Sequence, residues 1–133
     1  LGKARVVAEG EDVTLITWGA MLHPTLEAAA HMAEKGVRVE VIDVRTLSPL
    51  DSETLIQSVE KTGRAVIVHE AARTCGLGGE IAAILCEKAL LSLEAPVLRV
   101  TGYDTPVPLP KNENYYFPDC VQIIEAIETV VRF

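Results

Sequence analysis

A three-layer α/β/α sandwich on a mainly parallel sheet is the fold this sequence predicts, and three observations carry it. Short β-branched runs alternate along the chain with segments whose apolar residues recur at helical spacing. One run, Ala65-Val66-Ile67-Val68, is apolar without interruption, the pattern of a strand covered on both faces. Glycines stand where the first two helical segments end, at Gly36 and Gly63. Strands alternating with helices build a parallel sheet, because right-handed crossovers lay each helix over one of its faces.

The elements follow in order. Asp12 to Trp18 is a β-branched run closed by Gly19 and reads as the first strand. His23-Pro24 opens an amphipathic helix marked by Leu26, Ala29, Ala30 and Ala33, with Gly36 as its C-terminal cap. Val37, Val39 and Val41 alternate with Arg38 and Glu40 before Ile42-Asp43-Val44, so the second strand begins half exposed and becomes more buried. Asp51 caps the next helix, Leu50 and Leu55 form a hydrophobic staple, and Gly63 ends it. After the third strand, Ala65–Val68, the residues Ile81, Ile84, Leu85, Cys86 and Ala89 mark a largely buried helix. Pro96 to Val100 supplies a further strand. Pro106, Pro108, Pro110 and Pro118 make residues 101–118 a long ordered arm. Asp119 with Gln122 has the form of a capping box that opens a final helix. Residues 1–133 read as a single domain, with 1–11 as a linker or edge strand and 119–133 as the C-terminal helix.

At 133 residues and 49% hydrophobic, the chain has material for one continuous core without staples. A net charge of −7 excludes a protein that tracks nucleic-acid phosphates and suits a basic protein partner. Cys75, Cys86 and Cys120 are odd in number and far apart, which indicates neither a disulfide framework nor a zinc site and points to a reducing compartment. No apolar run reaches the roughly 18–20 residues of a membrane span, and the first residues lack the apolar stretch of a signal peptide. The start also lacks Met and reads as a linker entered partway.

His69-Glu70 stands at the carboxyl end of the third strand, where parallel sheets place ligands, and is a candidate proton-transfer couple. Neighbours on an extended chain point oppositely and no nucleophile is fixed nearby, so a structural or interface role is the expectation. The backbone of Gly76-Leu77-Gly78-Gly79 could cradle an anion, but it is neither a dinucleotide fingerprint nor a P-loop, and close helix packing explains it better. Cys75 reads as a plain thiol with only Arg73 near it. His23 and His31 lack a metal-binding spacing, and Asp43 lacks the glycine fingerprint that a ribose-binding acid accompanies. No catalytic, cofactor-binding or metal-binding set emerges from these residues.

Taken together, Gly2-Lys3-Ala4, Glu9 to Leu15, Val41 to Asp51, His69-Glu70-Ala71, Gly78-Gly79-Glu80-Ile81, Leu93-Glu94-Ala95-Pro96, Arg99-Val100 and Gly102-Tyr103-Asp104-Thr105-Pro106 resemble a known family along almost the whole chain. It is the C-terminal, transketolase-like domain of the beta subunit of thiamine-diphosphate-dependent 2-oxo acid dehydrogenases, of pyruvate or branched-chain (2-oxoisovalerate) type. Gly-Tyr-Asp-Thr-Pro leans toward the branched-chain type.

The resemblance implies a five-stranded mixed sheet with one antiparallel strand, for which Arg5-Val6-Val7-Ala8 is the candidate. It also implies a pyrimidine-binding domain preceding the chain. The family enzyme is an alpha-two beta-two heterotetramer within a multienzyme complex, an acyl-transferring oxidoreductase that passes the acyl group to lipoamide. Thiamine diphosphate with magnesium binds between the alpha subunit and the beta N-terminal domain, so this chain alone is expected to be inactive. Its partners would be the alpha subunit, a second beta subunit and the subunit-binding domain of the lipoyl acyltransferase, in bacterial or archaeal cytoplasm or the mitochondrial matrix. Glu94 and the terminal Phe133 look like the positions where the family places its docking contact. Tyr115-Tyr116-Phe117 in the arm suit a subunit interface or fold back on the domain. Two alternatives share the fold type: the corresponding domain of transketolase or deoxyxylulose-phosphate synthase, and a free-standing flavodoxin-like binding module.

Overall fold

The computed structural model describes residues 1–133. Five strands form one sheet: β1 (Arg5–Ala8), β2 (Val13–Thr17), β3 (Val39–Asp43), β4 (Ala65–Ala72) and β5 (Leu98–Gly102). Their spatial order is β1-β3-β2-β4-β5, with β1 antiparallel to β3 and every other neighbour parallel. Arg5–Ala8 is therefore the antiparallel strand. Helices α1 (Leu22–Glu34), α2 (Ser52–Thr62), α3 (Leu77–Lys88), α4 (Glu113–Tyr116) and α5 (Cys120–Arg132) complete the chain.

Alternation along each strand sends side chains to two cores. Val13, Leu15, Val39, Val41, Val66 and Val68 face α1 and α5. Ile16, Ile42, Ala65 and Ile67 face α2 and α3 on the other side. β2 lies at the centre and is buried at every position. Burying each large aliphatic side chain stabilises the fold by about 1.5–3 kcal/mol.

The caps at α2 and α5 take the expected form. Asp51 accepts a hydrogen bond from the Thr54 amide, and Gly63 adopts the left-handed conformation at φ 72° that lets the Val59 carbonyl be met. Asp119 and Gln122 exchange reciprocal bonds at the start of α5.

Several expectations are corrected. The buried face of α1 is Thr25, Ala28, Ala29 and Met32, whereas Ala30 and Ala33 face solvent. In α3 only one face is buried, through Gly78, Ile81 and Leu85, and Cys86 is exposed. Glu40 is not on an exposed face of its strand. It is buried, and its carboxylate is met by Ser58, Lys61 and the Gly10 amide. The strand that begins at Ala65 extends through His69 and Glu70 to Ala72, and the strand that follows α3 runs to Gly102. The arm contains a short helix, α4, and of the two readings open for its aromatics Tyr116 and Phe117 follow the one that folds back onto the domain, while Tyr115 is exposed.

Candidate functional site

The crossover after β2 leads to β3, and the one after β3 leads to β4 on the far side of β2. The carboxyl ends of β2 and β4 thus flank a topological switch point, the place where open parallel sheets bind ligands. Trp18, just beyond β2, and His69, within β4, meet there with ring centroids 5.2 Å apart and planes inclined by 19°. His69 is fully buried and neither ring nitrogen has a hydrogen-bonding partner. Burial holds its pKa below the ordinary 6.5, and the Arg99 charge adds to that; the nearby Ala71 backbone favours the cation but does not offset burial. A neutral ring stacked on an indole is a packing group.

The glycines before and within α3 follow from this ring. A Cβ at Gly78 would overlap the His69 imidazole, and one at Gly76 would lie 2.4 Å from the Ala72 carbonyl oxygen and 3.0 Å from His69 Cε1. Close approach of helix to histidine accounts for Gly78, and close approach of the Ala72 carbonyl accounts for Gly76. Cys75 is exposed at φ 59° in the preceding turn.

Beside the stacked pair lies a cleft of about 480 Å³ lined by Trp18, Gly19, Glu70, Ala71, Ala72, Val107, Tyr116 and Phe117. The arm forms one wall. Tyr116 is buried there and donates to the Tyr103 carbonyl at 3.2 Å, while Tyr115 is exposed. His69 and Glu70 point to opposite faces of β4, so they do not act on one proton. Glu70 alone supplies a carboxylate to this cleft. A magnesium-bound diphosphate needs several hard oxygen ligands, and no group of three or more His, Cys, Asp or Glu side chains gathers anywhere in the chain. These residues do not fit thiamine diphosphate.

At the opposite end of the sheet, Arg64 organises a second constellation. Its guanidinium meets the Glu94 carboxylate at 2.8 Å, the Val130 carbonyl at 3.1 Å and the Asp12 carbonyl at 3.4 Å. Glu94 is 60% exposed, and its amide donates to the Gly63 carbonyl at 2.8 Å. It is a carboxylate paired with Arg64 and open to solvent on one side. Phe133 is 77% exposed. It borders an open depression with Glu125, Glu128, Thr129 and Arg132. Because Arg64 ties Glu94 to Val130, three residues before Phe133, the two candidate docking residues share this end of the domain.

His23 and His31 are exposed on α1, and Asp43 ends β3 paired with Arg45. Sequence reasoning missed Arg64, because a lone arginine between a helix cap and a strand has no periodic signature. It also passed over Trp18, although an aromatic at the carboxyl end of a buried central strand is a legible sign of a switch-point contact.

The chain is 50% identical over its whole length to the pyruvate dehydrogenase E1 component subunit beta of Staphylococcus epidermidis and 46% identical to that of Bacillus subtilis. It spans 41% of the length of these curated relatives, their C-terminal part. Among solved structures it resembles a split-gene transketolase described as an inactive β4 tetramer, with a TM-score of 0.85 at 29% identity, covering 98% of this chain and 42% of that one. Residues 2–123 match the model of the transketolase C-terminal domain, and the chain belongs to that family.

Proposed function

We propose that this chain is the C-terminal domain of the beta subunit of a pyruvate dehydrogenase-type 2-oxo acid dehydrogenase, and that it works in assembly and docking. The observation that carries this reading is the 46–50% identity to E1 beta subunits over all 133 residues. In the assembled enzyme, oxidative decarboxylation and acyl transfer to lipoamide proceed on thiamine diphosphate held by other domains. This domain contributes surfaces to an alpha subunit, a second beta subunit and the lipoyl acyltransferase. Pyruvate is favoured over branched-chain 2-oxo acids by the names of the most similar relatives, against the lean of Gly102-Tyr103-Asp104-Thr105-Pro106.

The docking surface is the end of the domain built around Arg64. Glu94 is pre-positioned there, so a basic partner side chain gains a charge-assisted hydrogen bond without first ordering the carboxylate. The exposed Phe133 ring supplies an apolar contact beside it. Two calorimetric titrations of the chain test the division of labour. The subunit-binding domain of the lipoyl acyltransferase should bind saturably, and thiamine diphosphate with magnesium should give no binding heat; tight cofactor binding by the chain alone would overturn the assignment.

A further inference from the structure

A second cleft, of about 340 Å³, opens beside the carboxyl ends of β4 and β5 and is lined by Arg73, Arg99, Thr101, Tyr103, Asp104 and Gln122, among others. Its hydrogen-bonding groups are divided unevenly. The Arg73 and Arg99 carbonyls each accept from the other residue's guanidinium at 2.9 Å. The Gly102 carbonyl accepts from Thr101, and the Tyr103 carbonyl from Tyr116. Both Asp104 oxygens accept from Thr74, through its amide at 2.8 Å and its hydroxyl at 2.6 Å. Gln122 Oε1 accepts from the Asp119 amide in the helix cap.

The donors are left over. Each guanidinium has spent one N–H on a carbonyl out of five, and neither forms an ion pair. With its oxygen fixed in the cap, Gln122 has its amide NH2 free. The cleft holds two guanidinium charges against the single carboxylate of Asp104, on a chain whose net charge is −7. The mutual bonds to backbone hold both arginines in place, so little side-chain entropy remains to be lost on binding.

We propose that this cleft binds a small oxyanion, a free phosphate or a carboxylate-bearing small molecule, on Arg73, Arg99 and the Gln122 amide. Walls whose named acceptors each already take a bond, while most guanidinium N–H groups and the Gln122 amide have none, suit a ligand that accepts, and the planar guanidinium forks match phosphate and carboxylate geometry. The site is independent of the docking surface at the other end of the sheet.

The test is a pair of amide and arginine side-chain NMR titrations of this chain, one with inorganic phosphate and one with malonate, at ionic strength held constant with sodium chloride. In at least one arm, saturable shifts are expected at Arg73, Thr74, residues 101–104 and the Gln122 side chain, and the arm that saturates identifies the oxyanion. Arg73→Gln and Arg99→Gln should each weaken that binding about tenfold, the loss of a charge-assisted hydrogen bond. Arg73→Lys should recover part of it. Shifts that never saturate in either arm, or that persist unchanged in both glutamine variants, would overturn the proposal and leave the cleft to an acidic group of a partner protein. The wild-type titration decides the matter even if a variant fails to fold, and unchanged peaks elsewhere verify that it has folded.

Discussion

His69 is a buried base whose second proton would find no partner. Its ring sits between Trp18 and the Gly76–Gly78 backbone with both nitrogens unpartnered. Because the folded pKa lies below 6.5 while the unfolded ring titrates near 6.5, no proton is exchanged on folding above that pH. As pH falls below 6.5, the unfolded chain takes up a proton that the folded ring resists, and stability declines by up to about 1.4 kcal/mol per pH unit until the folded pKa is reached. Urea unfolding between pH 5 and 8 should show this slope, and His69→Phe should flatten it. Glu40 works in a different window. Burial would raise its pKa, but bonds from Lys61 and Ser58 outweigh burial and lower it from 4.5, so its contribution holds above 4.5 and is lost as pH falls through the folded value. A Gly78→Ala variant should lose about 1–3 kcal/mol, since the added methyl overlaps the imidazole; wild-type stability by urea unfolding would contradict the packing account. The need for these glycines was visible in the sequence, but the ring they accommodate was not, because the sequence does not show which side chain lies under a helix.

At the scale of elements, caps and strands were the most legible features. The pairs Asp51–Thr54 and Asp119–Gln122 are local, so chemistry within four residues settles them. Asp119→Ala should cost about 1 kcal/mol by thermal or chemical unfolding while leaving the fold intact. Helix faces were less legible. Alanines recur all around α1, so apolar spacing alone fits two registers, and burial by β3 and α5 selects Ala28 and Ala29 over Ala30 and Ala33. Alternation places Glu40 outward because it takes polar to mean exposed. A buried carboxylate contradicts that only when its partners, Ser58 and Lys61 from α2, are known. The short helix of the arm is hidden for a related reason. Its prolines hide a helical turn, and Tyr116 gains its burial against Gly102, where an added Cβ would lie 3.0 Å from the tyrosine ring.

The molecule as a whole presents two distinct ends. At the carboxyl ends of the strands, an apolar crevice and the arginine cleft lie beside the arm, while the Arg64 constellation occupies the other end. The fold class was written in alternating strands and helices, and the family in ordered segments; the hub at Arg64 was in neither, because it joins residues 12, 64, 94 and 130 that only the fold brings together. Arg64 is 24% exposed and bonded to two carbonyls, so it fixes Glu94 without fully cancelling its charge toward solvent. If this end docks a basic partner, Glu94→Lys turns attraction into repulsion, and salt screens the wild-type contact over a Debye length of about 8–10 Å. The affinity of this chain for the acyltransferase's subunit-binding domain, measured by calorimetry across a salt series for wild type and Glu94→Lys, tests the docking account most directly. The account predicts wild-type binding that weakens as salt rises and is largely lost in the variant. Salt-insensitive binding that Glu94→Lys leaves unchanged would contradict it.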